Sequence, residues 1–311
     1  MSRTVSVASN PERMERPVAG SRGTLGVVSD LVALTKPRII LLLLVTAYCA
    51  MVVADRGLPA IGRSLLTLLG LALSAGGANA VNMWYDRDID RLMSRTQRRP
   101  IPGGRLKPEV ALWFGGLCAA ASVALLGAWV NWPSALLALA GFVYYVFIYT
   151  MWLKRRTPQN IVIGGGAGAF PPLVGWAAAT GTVGIAAGLM FLIVFLWTPP
   201  HFWSLALYKD QDYRRAGIPM MPAVRGWLVT KRQQVLYAVL LTVASLGLYW
   251  THEVGVVYLA VAALLGVAFI AHTVVLLREP QPEVAWAKRT FHFSLLYLTG
   301  LFAAMVLFLP R

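Results

Sequence analysis

Nine stretches of mostly apolar residues recur along the chain, separated by shorter polar segments. Each is close to the length of about 20 residues that an α-helix needs to cross the hydrocarbon core of a bilayer. The pattern predicts an all-α, polytopic membrane protein with about nine transmembrane helices. The predicted spans are 38–54, 63–84, 109–130, 134–153, 160–179, 186–207, 232–250, 254–277 and 290–310.

The segment before the first span has a different composition. Residues 1–30 mix Arg, Glu, Ser and Pro and lack the apolar core of a secretory signal. We expect residues 1–30 to form a flexible cytoplasmic tail and residues 31–311 to form one transmembrane domain.

Charge adds an orientation to this picture. Hydrophobic residues make up 58% of the 311 residues and charged residues 13%, whereas soluble domains are roughly a quarter charged. The net charge of +15 could suggest nucleic acid, but all 28 Lys and Arg except Arg56, Arg63 and Arg311 lie on one side of the predicted spans. Because basic residues accumulate on the cytoplasmic side, we expect a cytoplasmic N-terminus and an outer C-terminus. The predicted partner of the basic surface is the lipid bilayer of the cell membrane, not nucleic acid.

A regular set of oxygen-bearing side chains closes the second predicted span. Asn82, Asp86 and Asp90 follow one another at four-residue steps. On an α-helix these steps keep the three side chains within an arc of about 80° over about 12 Å of the axis. Carboxylates stacked in this way repel one another, and leaving them unpaired is costlier near a low-dielectric bilayer. The spacing predicts a cation site that faces the cytoplasm.

Magnesium suits these donors. Mg²⁺ prefers oxygen ligands and bridges one or two carboxylates to phosphate oxygens, whereas Zn²⁺ favours His or Cys, which the motif lacks. We therefore expect a phosphate-bearing substrate. The alternative is that Arg87, Arg91 and Arg95 merely neutralise the acids at a solvated helix end.

A second acidic segment follows the sixth predicted span. Ser204, Tyr208 and Asp212 repeat the four-residue step, while Asp210 lies off that stripe. The segment is a weak signal by itself, and it could be the start of a solvated loop. Combined with the first motif, it predicts the opposite wall of the same site.

Basic residues accompany both motifs. Arg side chains bind phosphate oxygens through paired hydrogen bonds, and positive groups stabilise a departing diphosphate. For any single Arg the alternative is a role in membrane orientation. The candidate substrate-binding residues in these segments are Arg95, Arg99, Lys154, Arg155 and Asn160.

Three runs of sequence carry a family resemblance: Asn82–Arg99, Tyr149–Trp176 and Trp197–Pro222. In these runs the chain resembles the UbiA superfamily of intramembrane prenyltransferases, and within it the branch that farnesylates haem. The first run is similar across the superfamily, whereas the other two match the haem branch. The likeness extends over roughly residues 30–310.

The resemblance implies a nine-helix bundle around a central cavity that is open to lipid. It implies transfer of a farnesyl group from farnesyl diphosphate to a vinyl group of haem B, which gives haem O. Asn82, Asp86, Asp90 and Asp212 would hold magnesium and diphosphate, with Lys154 and Arg155 at the diphosphate. Analogy with the family also suggests association with the downstream enzyme that oxidises haem O.

Two features of the second motif stay open. Many superfamily members carry D-x-x-x-D in this motif, but Tyr208 occupies the first acidic position here, and Asp210 is the candidate replacement. His201 could ligate haem iron or orient a propionate. Alternatively, it is an ordinary packing residue in an aromatic stretch.

Two other functions compete with haem farnesylation. An aromatic-acceptor prenyltransferase of quinone biosynthesis would share the magnesium site and differ in its acceptor. An ion-coupled transporter also uses intramembrane carboxylates, but its acids would lie near the middle of the membrane. Here they lie at predicted helix ends.

Overall fold

The computed structural model of the protein describes residues 23–310, and within this range all regular structure is helical. Nine helices of the described range are long and apolar enough to cross a membrane, which confirms the all-α, nine-span prediction. The elements are α1 (Thr24–Thr35), α2 (Pro37–Ala54), α3 (Ile61–Tyr85), α4 (Arg87–Asp90), α5 (Pro108–Trp129), α6 (Trp132–Val143), a π-helix (Tyr144–Leu153), α7 (Asn160–Gly164), α8 (Gly166–Thr180), α9 (Ile185–Tyr208), α10 (Asp210–Arg215), α11 (Met221–Arg225), α12 (Trp227–Gly247), a 3₁₀-helix (Leu248–Thr251), α13 (Val256–Arg278) and α14 (Ala285–Leu307).

The first described helix, α1, is not one of the nine spans. It begins at Thr24, inside the range predicted as a flexible tail, and residues 1–22 lie outside the described part of the chain. Its buried Leu34 packs in a cluster with Met83 and Ile101. Asp30 accepts a hydrogen bond from Arg105 Nε at 2.8 Å. These contacts hold α1 against the loop that follows α4.

The seventh and ninth spans begin earlier than predicted, at Trp227 and Ala285. The predicted seventh span begins at residue 232, directly after Lys231, and charged residues are costly inside a membrane. Lys231 is nevertheless only 3% exposed, and its Nζ donates to the carbonyl oxygen of Glu279 at 2.6 Å. This interaction lets the helix extend by more than a turn.

Close helix packing depends on residues without side chains. A Cβ on Gly175 of α8 would collide with the carbonyl oxygen of Ala47 on α2. A Cβ on Gly77 of α3 would lie 2.6 Å from the carbonyl oxygen of Gly115 on α5. Small residues permit such close approach between membrane helices, whose association depends on packing.

Gly164, Gly165 and Gly166, near the start of the fifth span, also permit close helix packing. A Cβ on Gly164 would overlap the ring of Tyr149, and one on Gly165 would lie 2.8 Å from Thr198 Cβ. α7 and α8 can therefore pack against the π-helix and α9. This packing brings the segment after Lys154 next to the end of α9.

The predicted site loops meet at one end of the bundle. Contacts join the end of α3 to the end of the π-helix through Asp86 and Lys154, and the loop after α4 to α10 through Ser94 and Asp212.

Candidate active site

The first acidic motif forms one buried stripe from the end of α3 to the end of α4. The N–H of Asp86 donates to the carbonyl of Asn82 at 2.9 Å, and the N–H of Asp90 to the carbonyl of Asp86 at 2.8 Å. The four-residue repeat therefore continues through the bend at Asp86. Asn82, Asp86 and Asp90 are 3%, 0% and 2% exposed. They face the protein interior, not lipid.

Predicted diphosphate-binding cations contact this stripe. Lys154 Nζ binds Asp86 Oδ2, and Arg155 Nη2 lies 3.4 Å from Asp86 Oδ1. Arg99 Nη1 donates to Asp90 Oδ2 at 2.7 Å. Buried carboxylates require such compensation because their desolvation is costly. The acids and three of the predicted cations thus form one charge network.

The arginines considered as neutralising partners lie elsewhere. Arg87 donates to the carbonyl of Trp84 at 2.7 Å, Arg91 is exposed, and Arg95 lies beside Tyr213. Among the described residues, none of the three forms an ion pair with Asp86 or Asp90. The motif is therefore not a solvated helix end neutralised by its own neighbours.

Arg155 is held at the rim of the network. Its Nη1 and Nη2 each donate to a carboxylate oxygen of Asp88 at 2.7 Å. These hydrogen bonds lower the pKa of Asp88 and raise the pKa of Arg155. The Asp88 side chain is 59% exposed, so the pair marks the boundary between the site and water.

The π-helix presents two polar groups to the stripe. Lys154 N–H donates to the carbonyl of Tyr149, five residues earlier, at 2.9 Å, and such wide turns often occur at functional sites. Thr150 Oγ1 accepts from Asn82 Nδ2 at 3.2 Å, while Lys154 meets Asp86. Thr150 and Lys154 are four residues apart, as are Asn82 and Asp86, so the two pairs face each other across neighbouring helices. Sequence reasoning missed Thr150, because hydropathy carries no signal for a π-helix.

A second residue that the sequence analysis missed, Lys36, lies between α1 and α2. It has a φ of 57°, and its Nζ donates to Asn82 Oδ1 at 3.0 Å. Burial, with the positive charges of Arg99 and Lys154, lowers the pKa of Lys36 well below its usual value. By charge alone, Lys36 is one of many basic residues on the predicted cytoplasmic side. Its position directly before Pro37, at the start of a span, is the one local signal that could have singled it out.

The second acidic motif contributes Asp212. This residue is 9% exposed and accepts from Ser94 Oγ at 2.6 Å. Its neighbour Tyr213 is also buried, which raises its pKa, and the positive charge of Arg95 opposes that shift. The loop after α4 therefore joins the two motifs.

Two of the predicted substrate-binding residues, Asp210 and Asn160, have hydrogen-bond partners within the protein. Asp210 Oδ2 accepts from Arg214 Nε at 2.8 Å and from Trp227 Nε1 at 3.2 Å, so it faces α12. It does not occupy the place of the missing acid at Tyr208. Asn160 Nδ2 donates to the carbonyl of Thr157 at 2.7 Å. The roles of Asn160 and Asp210 toward substrate stay predictions.

An aromatic wall leads from the second motif into the membrane part of the bundle. The ring of Tyr208 meets Phe291 of α14 edge to face at 5.9 Å between centroids. Phe291 stacks on His201 at 4.6 Å, and His201 stacks on Trp197 at 4.2 Å. His201, predicted as a substrate contact, is thus a buried member of this wall.

The donor chemistry of the charged end is suited to magnesium. The four predicted ligands, Asn82, Asp86, Asp90 and Asp212, offer only oxygen toward a metal, as hard cations prefer. In the described range no group of three or more His, Cys, Asp or Glu is arranged to hold a metal ion by itself. A metal that shares its ligands between one or two carboxylates and a phosphate fits this arrangement.

The sequence profile of the UbiA prenyltransferase family matches residues 43–296. The chain belongs to the UbiA prenyltransferase family. The matched segment includes every residue of the charge network except Lys36, which precedes it.

Curated relatives of this UbiA family member are similar over most of their length. A protoheme IX farnesyltransferase of Symbiobacterium thermophilum is 58% identical over 285 residues, which cover 92% of this chain and 95% of that protein. Proteins of the same name from Acidiphilium cryptum and Bartonella bacilliformis are 49% and 46% identical, each over 286 residues. These alignments cover 89% and 91% of this chain and 90% and 91% of those proteins.

Solved structures support the UbiA fold. A structure of digeranylgeranylglyceryl phosphate synthase superposes with a TM-score of 0.74 at 18% identity, covering 90% of this chain and 98% of that one. A UbiA homolog from Archaeoglobus fulgidus bound to DMAPP and Mg²⁺ superposes with a TM-score of 0.64 at 17% identity, covering 89% and 99%. At such identities the likeness concerns the fold. The predicted membrane prenyltransferase architecture is confirmed.

Proposed function

We propose that this prenyltransferase moves the farnesyl group of farnesyl diphosphate to a vinyl group of haem B and, with addition of water, forms haem O and diphosphate. The observation that carries the diphosphate half is the buried stripe of Asn82, Asp86 and Asp90 enclosed by Lys and Arg. The name shared by relatives of 46–58% identity supports the farnesyl donor and the haem acceptor.

Magnesium dependence is the second part of the proposal. Asn82, Asp86, Asp90 and Asp212 would hold the ion, since their oxygen donors suit a magnesium site that also serves a phosphate-bearing substrate. The Archaeoglobus fulgidus homolog of the same fold was solved with DMAPP and Mg²⁺. When bound, the ion supplies positive charge that stabilises the diphosphate as it leaves.

The cations of the network have a defined role in this reaction. Lys154 and Arg99, which hold Asp86 and Asp90 in the described state, turn from the carboxylates to the phosphate oxygens. Lys36 Nζ contributes a further hydrogen-bond donor beside Asn82, and a bound diphosphate would favour its charged form. The carboxylates would then be available to hold the metal. This exchange of partners keeps the buried charges compensated before and after substrate binding.

Bond breaking follows from this electrostatic arrangement. The C1–O bond of farnesyl diphosphate breaks, its electron pair stays on the diphosphate oxygen, and positive charge develops on the allylic carbons. Positive groups held at the departing oxygen in the bound state are an effective source of rate enhancement. The terminal carbon of the haem vinyl group supplies electrons for the new C–C bond. A water molecule then adds to the remaining cation and releases a proton, leaving a hydroxyl group.

The aromatic wall supports a flat acceptor. Trp197, His201, Phe202, Tyr208 and Phe291 form successive ring contacts from α9 to α14. Apolar walls exclude stray water from a developing carbocation. They also bury the faces of a porphyrin ring, which binds chiefly through apolar surface.

The decisive experiment uses the purified full chain in lipid nanodiscs. Haem B and farnesyl diphosphate should give a magnesium-dependent product with the mass of haem B plus one farnesyl and one hydroxyl group, together with free diphosphate. A product formed from 4-hydroxybenzoate but not from haem B would replace the acceptor with an aromatic compound of quinone biosynthesis. No diphosphate release under any of these conditions would favour an ion-coupled transporter.

We also propose that the site faces the cytoplasm at the cell membrane and that the N-terminus lies on the inner side. The support is the accumulation of Lys and Arg on the connections that bear the site. Single cysteines at Gln97 and Thr182, in a background without Cys49 and Cys118, should be labelled from opposite sides of the membrane. Association with an enzyme that oxidises haem O is proposed by analogy and can be tested by co-purification.

A further inference from the structure

His201 is clamped by aromatic rings on both faces. Trp197 stacks on it at 4.2 Å with an interplanar angle of 19°, and Phe291 stacks at 4.6 Å with an angle of 25°. Phe202 meets it edge to face at 5.1 Å. Both faces of the imidazole are therefore covered. Another group can approach it only in the plane of the ring, through its two nitrogens.

One nitrogen is committed to Ser294. His201 Nδ1 lies 2.7 Å from Ser294 Oγ, and the same hydroxyl donates its proton to the carbonyl of Phe291 at 2.6 Å. Because a hydroxyl has a single proton, Ser294 Oγ must accept from His201 Nδ1–H. The chain of hydrogen bonds thus selects the tautomer with the proton on Nδ1, and Nε2 retains its lone pair.

The other nitrogen has no protein partner. His201 Nε2 forms no hydrogen bond with a described residue. Trp203 Nε1 and Gln234 Nε2 also lack such a partner but are fully buried, whereas His201 Nε2 is not. His201 is 8% exposed. Nε2 therefore borders accessible space, with its lone pair available.

The position of this nitrogen relates to the diphosphate end. Phe291, which covers one face of His201, also contacts Tyr208, which is four residues before Asp212. The same wall therefore reaches from the acidic motif to the imidazole. An acceptor lying across the edges of these stacked rings would have its reactive edge toward the diphosphate and its centre at His201 Nε2.

We infer that His201 Nε2 is an axial ligand of the iron in the haem acceptor, and that Ser294 is the positioning residue that holds the ligating tautomer. The inference rests on the proposed function, because it takes haem as the acceptor. Histidines that ligate metals almost always donate their other ring N–H to a fixed acceptor, which sets the tautomer and the ring orientation. The lone pair of Nε2 forms the bond to iron, and no electron is transferred.

The test compares haem with its metal-free parent. Ferric haem is titrated into the purified full chain and into His201→Ala, and the Soret band and affinity are recorded; protoporphyrin IX without iron is titrated in parallel. We expect His201→Ala to shift the Soret band and to weaken haem binding at least about tenfold, with no comparable loss for the metal-free ring. Added imidazole should restore the Soret position. His292→Ala, an exposed histidine next to Phe291, is the matched control and should bind both as wild type does.

Ser294 is tested by the same titrations. Ser294→Ala should weaken haem binding about tenfold, within the range seen for residues behind metal ligands, and Ser294→Thr, which keeps the hydroxyl, should restore it. Farnesyl diphosphate binding by each variant verifies the fold, and His201→Gln serves if the alanine variant does not fold.

An unchanged Soret band in the His201 variants would overturn the inference, and so would an equal loss of haem and metal-free ring. In either case wild-type haem O formation would leave the proposed function intact. If the wild-type chain neither bound nor farnesylated haem, the proposed function itself would fail.

Discussion

Asp86 and Asp88 are two residues apart, yet the structure gives them different surroundings. Asp86 is fully buried and accepts from Asn82 Nδ2 at 2.7 Å and from Lys154 and Arg155. Asp88 has a side chain that is 59% exposed, and its carboxylate accepts two hydrogen bonds from Arg155. Asp86→Asn removes a carboxylate that the proposal assigns to magnesium, whereas Asp88→Asn removes an acid at the rim.

The expected costs differ accordingly. Loss of one preorganised electrostatic group in an active site typically lowers kcat by about 10²–10³, and we expect that loss for Asp86→Asn. An exposed ion pair contributes about 0–1 kcal/mol, so Asp88→Asn should change kcat less than about fivefold. Both substitutions remove one charge from the same turn and keep the side-chain volume, which makes them a matched pair.

The assay is haem O formation by the purified chain in nanodiscs, with magnesium varied at saturating farnesyl diphosphate and haem. Asp86→Asn should also need more magnesium for half-maximal rate, whereas Asp88→Asn should not. Equal losses in the two variants would refute the assignment, since they would show that charge at this helix end matters irrespective of burial. Wild-type turnover by Asp86→Asn would remove the first motif from the metal site.

Other predictions follow from single contacts. Lys36→Met should raise the KM for farnesyl diphosphate about tenfold to 100-fold with little change in the KM for haem, because one charged hydrogen bond contributes about 1.5–3 kcal/mol; a change confined to the haem KM would contradict it. Gly175→Ala should lower the Tm in detergent, since its Cβ meets backbone on α2 and overpacking costs about 1–3 kcal/mol, while Gly168→Ala, with open space, should not. Because the pKa of Asp88 is lowered by Arg155, its ion pair should stabilise the fold above a pH of about 4 and lose this effect as pH falls through the lower folded pKa. The Tm difference between wild type and Asp88→Asn should therefore be constant from about pH 5 to 8 and shrink below about 4.

Local patterns along the chain were enough for the nine spans and for the acidic stripe. Hydropathy over about 20 residues reports whether a helix can cross a bilayer, and a four-residue step places side chains on one helix face whatever surrounds the helix. Asn82, Asp86 and Asp90 are consequently found together, and the cations Lys154 and Arg99 were predictable from their charge and their loops.

Only the tertiary structure decided which side chains complete the site. Lys36 and Thr150 reach Asn82 across 46 and 68 residues of sequence, and Ser294 reaches His201 across 93. These pairings depend on the register of the helices, which pack closely at glycines. They also depend on the π-helix, whose wide turns change the direction in which the side chains at its end point. Asp210 is turned toward Trp227 for the same reason, because the bend after α9 decides its direction. Periodicity specifies the face of each helix, whereas contact between faces is set by how all the helices pack at once.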